Sequence, residues 1–141
     1  MFLGEFEYRL DDKGRVPFPP RFRPYFKEGV VVAPSPEKCL SVYTIAEWKK
    51  MADGLASGGL SPSKLRKINR ALFATAFHTG IDGQGRLSLP PKLREYAGLG
   101  EDIIIAGTNN TLELWDKAAW ETEKNADMAD AWQIIESLET H

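Results

Sequence analysis

Strict alternation of apolar and polar residues predicts the first strands of the chain. Alternate positions are apolar in residues 6–10 and again in residues 16–18, so each segment has one apolar face when extended. Asp11 and Gly14 lie between the two segments. An aspartate caps backbone amides in a turn, and a glycine three residues later accepts a positive φ. The pattern therefore predicts a β-hairpin closed by this turn.

The same pattern occurs twice. Residues 10–23 align without a gap on residues 81–94, and the aspartate, glycine, first arginine, Pro-Pro pair and last arginine are identical. After a small shift the similarity continues to Trp48 in the first copy and to Trp120 in the second. A repeat of this length indicates two copies of one structural unit of about 50 residues.

Each unit is predicted to continue with a short helix, a pair of strands and a capped helix. The Pro-Pro pairs suit the first turn of a helix, because a proline there loses no helical hydrogen bond. Thr44, three residues before Glu47, and Asp116 are the candidate N-caps of the closing helices. The short helices are expected at residues 21–26 and 92–97, and the strand pairs at 30–33 with 40–43 and at 103–106 with 111–115.

These elements predict an α+β fold with a mostly β core. The predicted segments are a first unit at 2–53, a linker and basic helix at 54–75, a second unit at 76–124 and a C-terminal helix at 125–141. The last helix carries Met128, Trp132, Ile135 and Leu138 at helical spacing, so we expect it to pack on the body of the protein or on a neighbouring subunit.

Composition excludes several classes of protein. The 141 residues are 43% hydrophobic, enough for a globular core, and no stretch approaches the roughly 18 apolar residues of a membrane helix. Glu5 and Glu7 lie where a secretory signal would need an unbroken apolar run, so a cytoplasmic protein is expected. Cys39 is the single cysteine, and His78 and His141 are the only histidines, so we expect no disulfide, metal or cofactor.

The distribution of charge is more informative than its sum. The formal net charge is −2, which by itself disfavours nucleic-acid binding. Residues 1–112, however, carry 16 Lys or Arg against 12 Asp or Glu, a balance of +4, and residues 113–141 carry 2 against 8, a balance of −6. A basic front and an acidic rear are compatible with a local DNA-binding face.

Arg15 and Arg86 are the main candidates for DNA contact. A β-ribbon can enter the major groove, where an arginine donates two parallel hydrogen bonds to guanine. Lys13 and Gln84, at equivalent positions in the turns, are candidates for a phosphate or base contact. Further cations near the turns are candidate phosphate contacts: Arg9, Arg21, Arg23, Lys92 and Arg94.

Several of these residues have a purely structural alternative. Arg15 and Arg86 can instead pair with the aspartates of their own turns and merely fix the hairpin. We assign the geometry of the turns to four residues: Asp11, Gly14, Asp82 and Gly85. The cations of the basic helix at residues 64–75 could bind phosphate, but a charged helix face is more often simply solvated. An enzyme would need Asp11 and Asp82 to act with His78, and because no catalytic spacing joins them we expect no enzymatic activity.

An Asp-x-x-Gly-Arg turn, an apolar strand and a proline opening a short helix, twice in one chain, resemble the MraZ family. That family belongs to the AbrB-like swapped-hairpin superfamily, and the resemblance extends from Met1 to Trp115. It implies two interlocking units that form a pseudo-dimeric barrel with flanking helices. Gly83 and Gln84 replace the Asp-Lys pair of the first turn, which leaves open whether the two turns contribute equally.

The resemblance also implies a function. It predicts a cytoplasmic, nucleoid-associated transcriptional regulator that forms homo-oligomeric rings. Its partner would be double-stranded DNA with tandem G-rich repeats, upstream of the division and cell-wall gene cluster that includes its own gene. It predicts no membrane or small-molecule partner. The alternative is an antitoxin-like or other oligomeric protein-interaction module, since the superfamily includes such proteins.

Overall fold

The eight strands form two successive sets of four in a computed structural model that describes residues 1–139. The first set consists of β1 (Glu5–Arg9), β2 (Arg15–Pro17), β3 (Val30–Pro34) and β4 (Leu40–Thr44). The second consists of β5 (Phe77–Thr79), β6 (Arg86–Ser88), β7 (Asp102–Gly107) and β8 (Leu112–Asp116). The repeat in the sequence is thus a repeat in the structure.

Helices occupy equivalent places in the two sets. The first set contains a 3-10 helix (Pro20–Phe26) and α1 (Ile45–Ser57), and the second contains α3 (Pro91–Tyr96) and α4 (Lys117–Glu139). Between the sets, α2 (Pro62–Ile68) continues into a π turn (Asn69–Phe73). Both predicted N-caps are confirmed: the Thr44 hydroxyl accepts from the Glu47 amide at 3.1 Å, and Asp116 Oδ2 accepts from the Ala119 amide at 3.3 Å.

Strand pairing crosses between the two units. The six-stranded antiparallel sheet has the order β1-β7-β8-β4-β3-β5, and β2 pairs with β6 in a separate two-stranded ribbon. The pairs β3 with β4 and β7 with β8 are as predicted. The α+β class and the mostly antiparallel sheet are therefore confirmed.

The predicted local hairpin between β1 and β2 is wrong. The turn at Asp11 closes, but β1 pairs with β7 and β2 pairs with β6, so each strand finds its partner in the other unit. Alternation of apolar residues specifies which face of a strand is buried and leaves its neighbour undetermined. Both pairings satisfy the same sequence pattern, and the crossed one lets the two units share one core.

The shared core fixes the orientation of the β2–β6 ribbon. Val16 and Leu87, which are opposite each other in the ribbon, are both 0% exposed, and Phe18 packs beside them against Phe26. Full burial of side chains of this size stabilises the fold by roughly 1.5–3 kcal/mol each. Because successive residues of a strand point to opposite faces, their ribbon neighbours point outward. Cys39 is fully buried, as expected of a small apolar residue.

The C-terminal helix differs from the prediction in two ways. The helices expected to be separate near residue 124 are one continuous helix, α4, because residues 117–139 contain no glycine or proline to break it. Its second half does not pack on the body of the chain: Trp132 is 57% exposed and Leu138 is 72% exposed. The predicted segment at 125–141 includes two residues outside those described. None of the helices within residues 1–139 is long and apolar enough to cross a membrane.

Candidate nucleic-acid interface

The first turn is held by the side chain of Asp11. One carboxylate oxygen, Oδ1, accepts the amide of Lys13 at 3.0 Å and the amide of Arg15 at 2.8 Å. The other, Oδ2, accepts Nε of Arg15 at 2.8 Å. Gly14 closes the turn by donating its amide to the Asp11 carbonyl at 3.1 Å, with φ of 76°. The turn therefore displays residues 12 and 13 at its tip.

The second turn repeats this geometry at Asp82. Oδ1 accepts the amides of Gln84 and Arg86, both at 2.9 Å, and Oδ2 accepts Nε of Arg86 at 3.2 Å. Gly85 also has φ of 76°. The turn roles assigned to the aspartates and glycines from sequence agree with this hydrogen bonding, and the arginines do pair with their own aspartates.

The turn aspartates are held in the charged form. Hydrogen bonds from the backbone amide of Arg15 lower the pKa of Asp11 below its ordinary value of 3.8, and the Arg15 side chain adds to the effect. The backbone amide of Arg86 lowers the pKa of Asp82 in the same way. Each aspartate is therefore committed to its own turn, and neither is brought together with His78, which lies in β5 beside Gly29.

Arg15 and Arg86 lie on one face of the β2–β6 ribbon. Arg15 is opposite Ser88 in the register and Arg86 is opposite Pro17, so the two arginines are diagonal neighbours on different strands. Val16 and Leu87, between them, point into the core, which directs both arginines outward. The side chains of Arg15 and Arg86 are each 27% exposed.

Each turn is also covered by an arginine from the other unit. The guanidinium of Arg94 lies over Gly14, so that a Cβ at that glycine would be 2.8 Å from Cζ of Arg94. Arg23 lies over Gly85 in the equivalent position. Backbone hydrogen bonds cross in the same sense, since the Leu89 amide donates to the Gly14 carbonyl at 2.9 Å. The positive φ favours glycine at both positions, and a Cβ there would also displace the guanidinium that lies over the turn.

All four arginines are anchored through Nε. Arg15 and Arg86 donate Nε–H to the turn aspartates, while Arg23 and Arg94 donate it to the carbonyls of Phe18 and Leu89, each at 3.0 Å. A guanidinium has five N–H donors, and Nε supplies one of them. Within residues 1–139 the Nη groups of these four arginines have no hydrogen-bond partner. The anchoring therefore fixes each side chain and leaves its terminal fork available.

The remaining predicted contacts are distributed around the turns. Lys13 and Gln84 are exposed at the two tips. Arg21 lies over the ring of Phe6, with Cζ 5.2 Å from the ring centroid. Arg9 is not brought together with the turn arginines, because its Nη2 pairs with Glu101 at 2.6 Å. Lys92 is exposed on α3.

Each turn carries a small positive excess. At the first turn, Lys13, Arg15 and Arg94 oppose Asp11 and Asp12, so three cations minus two carboxylates give +1. At the second turn, Arg23 and Arg86 oppose Asp82, which also gives +1. The excess is small, and the arrangement differs from a bare basic patch in that its guanidinium groups are fixed in direction. Such groups suit directional contacts with bases or phosphates.

Sequence comparison identifies the family. The model of the MraZ protein family, whose description calls it antitoxin-like, matches residues 1–71 and again residues 72–131. The chain belongs to the MraZ family. The boundary between the two MraZ matches falls in the π turn that separates the structural repeats.

Curated MraZ relatives match over the whole chain. The protein named transcriptional regulator MraZ in Dehalococcoides mccartyi strain BAV1 is 56% identical over 142 residues, covering 100% of both chains. Its counterpart in Dehalococcoides mccartyi strain 195 is 54% identical and covers 99% of both. A relative of the same name in Roseiflexus sp. strain RS-1 is 40% identical, over 98% of this chain and 96% of its own. The resemblance stated from the repeated motif is confirmed.

Proposed function

We propose that this chain is a sequence-specific DNA-binding transcriptional regulator without enzymatic activity. The observation that carries the proposal is the placement of Arg15 and Arg86 on the outward face of a single two-stranded ribbon, each with a free guanidinium end. A ribbon of two strands fits the major groove, and a guanidinium fork matches the O6 and N7 acceptors of guanine. The names of the curated relatives support the regulatory role.

The spacing of the two arginines suits neighbouring bases. They are two residue positions apart along the ribbon, which corresponds to about 7 Å at about 3.3 Å per residue. Successive bases on one strand are about 3.4 Å apart along the helix axis, so this distance corresponds to about two steps. A G-rich operator offers guanines at such a spacing, and we propose tandem G-rich repeats upstream of the division and cell-wall gene cluster as the target.

Phosphate contacts position the ribbon. We assign the contacts with the DNA backbone to Lys13, at the exposed tip, and to the Nη groups of Arg23 and Arg94, which lie over the turn glycines. Gln84 offers a neutral amide where the first turn has Lys13, so the first turn supplies the stronger phosphate contact. Arg21 is a further phosphate contact at the rim. Arg9 stays a candidate phosphate contact, because its ion pair with Glu101 is exposed to solvent.

Self-association would multiply these contacts. One ribbon offers few of them, and tandem repeats in DNA match a protein with several ribbons at fixed spacing. We therefore include in the proposal a homo-oligomeric ring, with each protomer's crossed ribbon and sheet closed as a pseudo-dimeric barrel. Such an assembly would act at the nucleoid in the cytoplasm.

Two measurements on the purified protein test the proposal. Footprinting on the DNA upstream of the protein's own gene should protect evenly spaced G-rich repeats. Binding to that DNA, followed by fluorescence anisotropy, should weaken steeply as salt rises, because each neutralised phosphate releases counterions. Affinity that is independent of salt and of sequence would contradict the proposal.

A protein-interaction module is the second candidate function. The observation that favours it is the exposed apolar second half of α4, with Trp132 and Leu138 both in solvent. The antitoxin-like description of the family model points in the same direction. Absence of any salt-dependent DNA binding, together with a stable complex with another protein, would favour this function over the first.

A further inference from the structure

A groove beside the edge strand β5 lacks an occupant in the described chain. Its volume is about 720 Å³, and its walls are formed by the π turn and α3. The lining is mostly apolar: Pro34, Ala71, Ala74, Phe77, Leu93 and Tyr96. A concave apolar surface of this size is a binding site for an apolar side chain or helix face.

The other repeat shows what such a groove accepts. Phe2 fills the equivalent surface of the first unit. The centroid of its ring is 5.1 Å from the ring centroid of Phe22 and 5.6 Å from that of Tyr25. The repeat offset that aligns residue 10 with residue 81 also aligns Phe2 with Phe73. Phe73 instead packs on Trp48, with ring centroids 5.0 Å apart. The second unit therefore has the slot for an aromatic side chain but not the side chain.

The second half of α4 is an apolar helix face without a partner in the described chain. Met128, Trp132 and Ile135 follow at helical spacing and are 48%, 57% and 45% exposed. Of the four tryptophans, all within the described residues, Trp132 is the one classed as exposed. An exposed stripe with an aromatic residue at its centre is typical of a helix that binds in a groove.

The charges around the groove and the helix are complementary. Residues 125–139 carry four carboxylates and no lysine or arginine. The groove is bordered by Lys92, and the helix and turn beside it carry Lys64, Arg66, Lys67 and Arg70. None of these five cations forms an ion pair within residues 1–139. An acidic helix would supply the missing partners.

The helix does not enter the groove of its own chain, since its second half is exposed. Lys117 and Lys124 of α4 pair with Glu7 and Glu5 of β1, at 3.1 Å and 3.2 Å. Strand β1 is one edge of the six-stranded sheet and β5 is the other, and the second half of α4 continues from its anchor on β1 into solvent. Because α4 is one continuous helix anchored on β1, the groove is left open to a helix from another molecule.

We infer that the acidic, Trp132-bearing half of α4 binds in the β5 groove of a second copy of this chain. The contact is heterologous, since helix and groove are different surfaces, and it can therefore propagate from copy to copy. It deepens the self-association included in the proposed function by naming the surfaces that meet. It does not depend on DNA reading, so it is tested without DNA.

Sedimentation of two variants, alone and mixed, tests the inference. Trp132→Ala removes the central side chain of the helix, and Ala74→Glu places a carboxylate in the groove against the acidic helix. Each should weaken self-association at least about 30-fold, as expected for a central aromatic anchor. The matched controls Gln133→Ala and Ala46→Glu, at exposed positions of the same helix and of α1, should associate like the unmodified chain.

Mixing the two defective variants gives the decisive result. Trp132→Ala retains an intact groove and Ala74→Glu retains an intact helix, so together they should form a 1:1 complex that grows no further. A monomeric unmodified chain, unchanged association of Trp132→Ala, or no complex in the mixture would each overturn the inference. If Ala74→Glu fails to fold by circular dichroism, Lys92→Glu replaces it, because that side chain is exposed at the groove border.

Discussion

Replacement of Arg15 by alanine separates base reading from backbone binding. The substitution removes the guanidinium and leaves the turn closed, because Asp11 still accepts the backbone amides of residues 13 and 15. Those amides include the largest cause of the lowered pKa of Asp11. The fold and the opposite face of the ribbon, with Val16 in the core, should therefore be unchanged.

The size of the effect follows from the chemistry of the fork. A bidentate arginine–guanine contact contributes about 1 to 3 kcal/mol of discrimination, which corresponds to a loss of about 5- to 140-fold in affinity for each ribbon engaged. Arg15→Lys should not restore it, because a lysine ammonium is a point charge without the planar fork. A phosphate contact would behave differently, since lysine would replace arginine there.

The assay is anisotropy with two labelled duplexes, one with the G-rich repeats and one with scrambled sequence, over a series of salt concentrations. For Arg15→Ala we expect a loss of affinity for the repeats and little change for the scrambled duplex. Ser88→Ala, opposite Arg15 in the ribbon, is the matched control and should bind like the unmodified chain. Equal losses on both duplexes, with recovery in Arg15→Lys and a salt slope reduced by about 0.9, would refute base reading and leave a phosphate contact.

Three further predictions concern the turns and the core. Gly14→Ala should lower the free energy of unfolding by about 1–2 kcal/mol, which corresponds to a decrease in Tm of roughly 3–8 °C, because alanine is strained at this positive φ and Arg94 must also move. The control Gly83→Ala, where the added Cβ meets open space, should change the Tm little. Because the pKa of Asp11 is lowered in the folded protein, its ionised carboxylate stabilises the fold above the ordinary pKa of 3.8, and this stabilisation is lost as the pH falls through the lower folded pKa. The Tm of Asp11→Asn should therefore depend less on pH between pH 5 and about pH 2 than the Tm of the unmodified chain. Burial raises the pKa of the Cys39 thiol to about 12, so the native protein should not react with a thiol reagent near pH 8 and the unfolded protein should react at once.

Local chemistry made much of the fold predictable. Each N-cap and each Asp-Gly turn depends on residues a few positions apart, and the structure has them as predicted. Pairing between distant strands was not predictable in the same way, because β1 is equally suited by its alternation to β2 or to β7. The break placed in α4 had no glycine or proline behind it, and the helix runs through.

In the candidate site, too, the local features are predictable from the sequence and the contacts between the units are not. Arg15 and Arg86 were selected by their place after the turn glycine, which a sequence displays. Arg23 lies over Gly85 and Arg94 over Gly14 because the two units cross. The sequence pattern predicts phosphate contacts for these arginines but does not predict which turn each one covers. The sequence pattern alone does not predict the β5 groove. The alignment of Phe2 with Phe73 in the repeat is the signal that could have indicated a position for an aromatic side chain there.

The crossed arginines make the two halves of the chain structurally dependent on each other. A fragment ending before β5 would possess the first Asp-x-x-Gly-Arg sequence but neither the strand that pairs with β2 nor the side chain that lies over Gly14. Cutting the chain between the units would thus yield two peptides, each with a complete motif but without the strand and the arginine that contact it in the whole chain. The second copy of the unit is therefore not redundant. Each copy supplies contacts to the turn of the other, so a substitution in one unit can disturb both turns.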